Sequence, residues 1–92
     1  MWKTKFTIEL VHRFGEGMIT LEKTVDGAVL PSPDRDSNLF LVVGPNDLDV
    51  SIQSVSIVVD EQLVSIRSRY VQYDVFDELK QEAEQLRKGG WE

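Results

Sequence analysis

His12 is the one histidine in the chain, so it is the natural candidate for acid–base chemistry. A single imidazole excludes metal sites that need several histidines, and the lack of cysteine excludes thiol catalysis and cysteine-bound zinc. Its place on the apolar face of the first predicted strand would suit a catalytic imidazole. No serine stands in a Gly-x-Ser-x-Gly frame that could supply a nucleophile. We therefore predict a core-edge imidazole with one backbone hydrogen bond, and a protein that is not an enzyme.

The segment 34–38, Asp-Arg-Asp-Ser-Asn, carries oxygen ligands at alternate positions, as a calcium-binding loop does. The match ends further on, because Leu39 replaces the glycine of the sixth position and Pro45 replaces the glutamate of the twelfth. Asp, Ser and Asn side chains also cap their own backbone in turns, which explains the segment without a metal. No metal ion or other cofactor is predicted. An enzyme or metal-dependent site that uses the Asp-rich loop 26–38 is the alternative function.

The charges are distributed unevenly along a chain whose net charge is −6. Residues 26–62 hold seven acidic residues and one basic residue, whereas residues 63–72 hold two arginines and no acidic residue. An acidic protein is repelled by phosphates, so we do not expect it to bind nucleic acid. Its local negative field would instead attract a partner protein with a basic surface.

Seven residues are the candidate contacts for such a partner. Alternate turns of a meander lie at the same end of the sheet, so the acidic turns would come together there. Arginine and aromatic residues are enriched at the centres of interfaces, which adds a second group from the last predicted strand. The predicted partner-binding residues are Asp34, Asp36, Asp60, Glu61, Arg67, Arg69 and Tyr70.

The elements that position these residues begin with a hairpin. Apolar residues occupy even positions in segment 2–14 and odd positions in segment 19–25, and a glycine-containing turn separates the two. Residues that face each other across a ladder project to the same side, so paired residue numbers must sum to an odd value. We predict a loop of two or four residues, for example with Phe14 opposite Ile19.

Three more strands are predicted after the long loop 26–38. Segment 39–43 is apolar on both faces, which is typical of a central strand. In segment 48–60 the apolar positions change from even to odd, which indicates either a β-bulge near Gln53 and Ser54 or two short strands. Segment 63–71 is the last strand, with Tyr70 on its core face and the arginines on the other.

A helix is predicted over residues 74–88. Asp74 is the expected N-cap, and apolar residues recur at spacings of three and four to form one stripe: Phe76, Leu79, Ala83 and Leu86. Gly89 and Gly90 end the helix. Trp91 follows them, and its large apolar surface should dock on the sheet or on another subunit.

These patterns predict one α+β domain over residues 1–92: a mostly meander, antiparallel sheet of about five strands over 1–72, and one C-terminal helix packed on it. The longest apolar run is five residues, whereas a membrane span needs about 20. The N-terminus lacks the apolar region of a signal peptide, so a cytoplasmic location is expected. The expected function is that of a small acidic, non-catalytic protein-binding module, such as an inhibitor, an immunity-type protein or a regulatory protein. A homo-oligomer is compatible with the same patterns.

Overall fold

The computed structural model describes residues 1–15, 17–28, 40–43 and 48–92, with side chains in 1–15, 17–28 and 52–92. These residues form strands followed by one helix, so the chain is α+β, as predicted. The elements are β1 (Lys3–His12), β2 (Met18–Asp26), β3 (Phe40–Val43), β4 (Leu48–Val58), β5 (Leu63–Ser68), β6 (Val71–Tyr73) and α1 (Phe76–Lys88). Within the described residues, no helix is long and apolar enough to cross a membrane.

The sheet is mixed, so the prediction of an antiparallel meander is wrong. The strand order is β2-β1-β5-β4-β3, and β6 also pairs with β1. Strand β1 is antiparallel to β2 but parallel to β5 and β6. The chain leaves β2 on one side of β1 and returns through β3 and β4 on the far side. Segment 39–43, predicted to be central, contributes β3, which is the last strand in that order.

The hairpin of β1 and β2 confirms the parity argument. Leu10 pairs with Ile19, and paired residue numbers along the ladder sum to 29, an odd value. The backbone N–H of His12 donates a hydrogen bond to the carbonyl of Gly17 at 2.8 Å, so four positions separate the paired ends. The example register was wrong, because Phe14 lies beyond the end of β1, is exposed and does not face Ile19.

Two irregularities in the later strands change whether even-numbered or odd-numbered residues face the core. The ladder between β4 and β5 shifts between Ile52 and Ser54, which confirms the predicted bulge. The predicted strand 63–71 is broken, because β5 ends at Ser68 and β6 begins at Val71. The core-facing positions change from even to odd across this break. Tyr70 therefore lies outside both strands and is exposed, contrary to the prediction that it faces the core.

The core lies between one face of the sheet and α1, which packs against β1 and β6. Its buried members come from strands, helix and C-terminal segment: Phe6, Ile8, Leu10, Leu21, Ile52, Val64, Ile66, Leu79, Ala83, Leu86 and Trp91. The predicted helix stripe is confirmed except for Phe76, which is exposed. Trp91 docks on the sheet of its own chain, where its ring centroid lies 6.3 Å from that of Phe6.

Both ends of α1 differ in detail from the prediction. The N-cap is Val75, which makes no side-chain capping hydrogen bond, so the assignment of Asp74 as N-cap is wrong. The Asp74 carboxylate instead lies 3.6 Å from a guanidinium nitrogen of Arg13. At the other end, Gly90 takes the positive φ (98°) that favours glycine, which turns the chain toward β2. There the backbones of Glu92 and Glu22 exchange two hydrogen bonds of 2.7 and 2.9 Å.

Candidate functional site

The acidic turn residues of the predicted site are only partly described. Asp34 and Asp36 lie outside the described residues, as does most of the Asp-rich loop. Asp60 and Glu61 are exposed in the turn between β4 and β5.

Asp26 lies at the same end of the sheet as this turn, because it pairs with Lys3, whose backbone N–H donates to the carbonyl of Gln62 at 3.0 Å. Lys3 therefore lies between the acidic residues of this end, and its cation reduces their combined field. The turn of Asp60 and Glu61 consequently offers a weaker attraction to a basic partner than its sequence suggests.

The structure separates the second group of predicted contacts. Arg67 lies on the sheet face opposite the helix, where a guanidinium nitrogen is 2.8 Å from Oε1 of Glu9. Arg69 and Tyr70 lie in the break between β5 and β6, beside a hollow of about 240 Å³ that Gln53 and Gln72 also line. That these residues together form the centre of an interface stays a prediction.

A larger concavity of about 550 Å³ lies between the helix and β6. We call it the acidic hollow. One strand residue and one side of the helix line it: Tyr73, Glu78, Gln81, Glu82, Glu84 and Gln85. The spacing of 78, 81, 82 and 85 follows the helix period, so these side chains flank the apolar stripe that faces the core.

The electrostatics of the acidic hollow are dominated by carboxylates. Burial is the largest cause that raises the pKa of the Tyr73 hydroxyl to about 12, and the nearby charges of Glu82 and Glu78 contribute to the same rise. Within the described residues, no lysine or arginine forms an ion pair with Glu78, Glu82 or Glu84. The hollow can therefore accept cations and hydrogen-bond donors from a partner.

The sequence patterns did not predict this site, although one signal was present. Glu78 and Glu82 are spaced i,i+4, which places two like charges on the same side of a helix. Acidic residues also occur on ordinary solvated helices, where they favour the positive end of the helix dipole or pair with lysines, so this signal does not by itself indicate a site. The contribution of Tyr73 depends on β6, which the sequence pattern did not predict as a separate strand.

His12 behaves as predicted. Its Nε2 lies 3.2 Å from the backbone carbonyl of Asp74, and its ring lies beside that of Phe76 with centroids 5.6 Å apart. Asp74 lies between β6 and the helix, and Phe76 is the first residue of the helix, so the imidazole connects the hairpin to the start of the helix. Among the described residues, no three histidine, aspartate or glutamate side chains are grouped so that they could hold a metal ion.

Comparison of the chain with protein-family models, with curated proteins and with solved structures finds no significant match in any of the three.

Proposed function

We propose that this protein is a non-catalytic binding module that contacts the basic surface of a partner protein through the acidic hollow. The observation that carries the proposal is the grouping of Glu78 and Glu82 around the half-buried Tyr73. Three features recognise a basic side chain: carboxylates without a cation, an aromatic ring, and a concave shape. An arginine or lysine entering the hollow would form charge-assisted hydrogen bonds with the carboxylates and stack on the tyrosine ring.

The acidic hollow is the better candidate than the acidic end of the sheet. Among the described residues neither group of carboxylates is in an ion pair, but Lys3 lies next to Asp26 in the sheet, close to the turn of Asp60 and Glu61. A concave surface also surrounds an incoming side chain, which removes water and strengthens the electrostatic attraction. An exposed turn cannot do this.

The proposal fits an inhibitor, an immunity-type protein or a regulatory protein, all of which act by contact and need no reaction centre. A cytoplasmic location is part of the same proposal. The alternative, a metal-dependent site in loop 26–38, concerns residues that lie largely outside the described part of the chain. No described group favours it.

The test is to immobilise the protein and to capture its binding partners from extracts of the native cells. The proteins captured by the wild type are compared with those captured by two variants of equal net charge. The variant E78Q/E82Q removes two carboxylates from the hollow, and D60N/E61Q removes two from the turn. We expect the wild type and D60N/E61Q to capture the same basic protein. We expect E78Q/E82Q to lose most of it, because the variant lacks the central carboxylates.

Rising salt should lower the yield for the wild type, since exposed charge contacts are screened at high ionic strength. Both variants should show the wild-type circular dichroism spectrum, because the substituted side chains are at the surface. Loss of the partner with D60N/E61Q but not with E78Q/E82Q would show that the turn, and not the hollow, is the binding site. Equal capture by all three proteins would contradict a charge-based contact at either place.

A further inference from the structure

A third hollow, of about 280 Å³, lies on the face of the sheet opposite the helix. We call it the hydroxyl hollow. Side chains from four adjacent strands line it: Lys5, Thr7, Glu22, Ser54, Ser56, Ser65 and Arg67. The register arranges most of them in two rows across the sheet. Lys5 is beside Ser65, which is opposite Ser56, and in the next row Arg67 is between Thr7 and Ser54. Small hydroxyl side chains thus form the floor between two long cations.

Each cation is held at one side by a carboxylate. Arg67 contacts Oε1 of Glu9 at 2.8 Å, and the Glu9 side chain is only 8% exposed although it lies on the uncovered face. Lys5 lies 3.3 Å from Oε1 of Glu22 at the rim of the hollow. A buried carboxylate restricts the orientation of the guanidinium, and the donors that it does not use stay free for another acceptor. Arg67 is therefore the better-positioned cation of the two.

The hydroxyl groups of the hollow have unused hydrogen-bonding capacity. In the described part of the chain, the hydroxyls of Thr7, Ser54, Ser56 and Ser65 make no hydrogen bond to protein. Thr7 is the most informative of them, because the residue is only 8% exposed. No buried side-chain oxygen or nitrogen among the described residues lacks a partner, so the Thr7 hydroxyl itself reaches the surface of the hollow, where it can donate to a bound group.

We propose that the hydroxyl hollow binds the phosphate group of a phosphate monoester. A tetrahedral oxyanion presents several acceptor oxygens in different directions, which suits four hydroxyl donors and a guanidinium fork better than a planar carboxylate does. The hollow is large enough for a phosphate group together with the first atoms of the molecule that carries it. This site lies on the other side of the sheet from the acidic hollow, and the proposal is independent of the basic partner.

The experiment is a titration of the isotope-labelled full-length protein with inorganic phosphate, followed by the NMR shifts of the backbone amides. We expect saturable shifts at residues that line the hollow, such as Lys5, Ser56 and Arg67, and unchanged amides in the helix. Acetate at equal ionic strength is the planar control and should give no saturable shift. Equal binding of acetate, or shifts spread over the whole surface, would overturn the assignment to phosphate.

Four variants test the residues, and two of them should change the affinity in opposite directions. R67Q removes the positioned guanidinium and should weaken phosphate binding about tenfold, as expected for loss of a charge-assisted hydrogen bond. E22Q removes the rim carboxylate that competes for Lys5, so it should bind phosphate more tightly than the wild type. R87Q changes the same charge as R67Q on an exposed part of the helix and should leave the affinity unchanged.

S56A is the fourth variant, and it keeps the test decisive if R67Q does not fold. It removes one exposed hydroxyl without changing the charge, and it should weaken phosphate binding several-fold. Wild-type affinity in S56A and E22Q together would overturn the proposal. Phosphoserine and ribose 5-phosphate, titrated in parallel, distinguish a phosphorylated side chain from a small phosphorylated metabolite as the source of the monoester. Binding of either supports the site, and failure of both overturns it.

Discussion

The two faces of strand β1 are both buried, but by different means. On the helix face, Ile8 and Leu10 have no exposed surface because the helix and Trp91 cover them. On the other face, Thr7 and Glu9 are 8% and 6% exposed although no second layer of secondary structure covers them among the described residues. They are shielded by the strands on either side and by long neighbours such as Arg67.

This difference shows how a small sheet can carry both a core and a binding surface. A central strand is removed from water on both faces, because side chains of neighbouring strands flank it. The helix face is stabilised by apolar burial, which is not directional. The open face keeps polar groups in a fixed geometry, and each buried charge there needs a partner. The helix face therefore supplies most of the stability, and the open face is available for recognition.

The largest expected effect tests the helix face. Leu10→Ala should lower the free energy of unfolding by about 2–5 kcal/mol, because it leaves a cavity where the helix packs on the sheet. Urea denaturation followed by circular dichroism measures the change. Thr7→Val is the matched control on the same strand, and it should change stability by less than about 1 kcal/mol since the threonine hydroxyl bonds to no described residue. Equal losses in the two variants would contradict the assignment of roles to the faces.

The next effect tests the buried pair on the open face. Glu9→Gln should destabilise the fold by about 1–3 kcal/mol, because it breaks the charge-assisted hydrogen bond with Arg67. A double-mutant cycle with Arg67→Gln isolates the interaction between the two side chains. The expected coupling energy is smaller than that of a fully buried pair, because the guanidinium of Arg67 is half exposed. A coupling energy near zero would show that Glu9 is held by packing alone.

A third prediction concerns the edge of the core, where Tyr73 meets the acidic hollow. Because folding raises the pKa of this hydroxyl to about 12 from the ordinary 10.0, the neutral form stabilises the fold. That contribution is fully present below pH 10 and is lost as the pH rises from 10 to 12. Absorbance of the phenolate in a Tyr70→Phe background measures the titration. The variant E78Q/E82Q should lower the pKa of Tyr73 only in part, since burial is the larger cause. No change in the variant would show that the two carboxylates lie away from the hydroxyl.

The smallest effect is expected from the exposed pair on the open face. Lys5 and Glu22 lie 3.3 Å apart with side chains 38% and 49% exposed. Such pairs contribute about 0.2–1 kcal/mol, and salt screens them. A double-mutant cycle in low and high salt should therefore give a smaller coupling than that of Glu9 with Arg67, and one that salt abolishes. A coupling as large as that of the buried pair would remove the distinction between the centre and the rim of this face.

Local patterns predicted much of the fold and little of the candidate sites. The alternation around Leu10 predicted the parity of the first hairpin, and the change of phase near Gln53 predicted the bulge. Both follow from the two-residue period of a strand, which is a local property. The break before Val71 was not predicted, because Tyr70 and Val71 are both apolar. Their types are therefore compatible with either the even-numbered or the odd-numbered residues facing the core. Arg67 lies on β5, whereas Arg69 and Tyr70 lie in that break, beside a different hollow.

What this sequence determined by itself is the apolar side of β1, β2 and the helix, since the period of apolar residues depends only on backbone geometry. It also determined the apolar helix stripe from Leu79 to Leu86 and the need to cover Trp91. The tertiary structure alone decided that β5 and β6 lie parallel to β1. Strand order depends on contacts between residues far apart in the chain, and a local period contains no information on them. Both hollows are built across strands or between a strand and a helix, so they arise from that long-range arrangement.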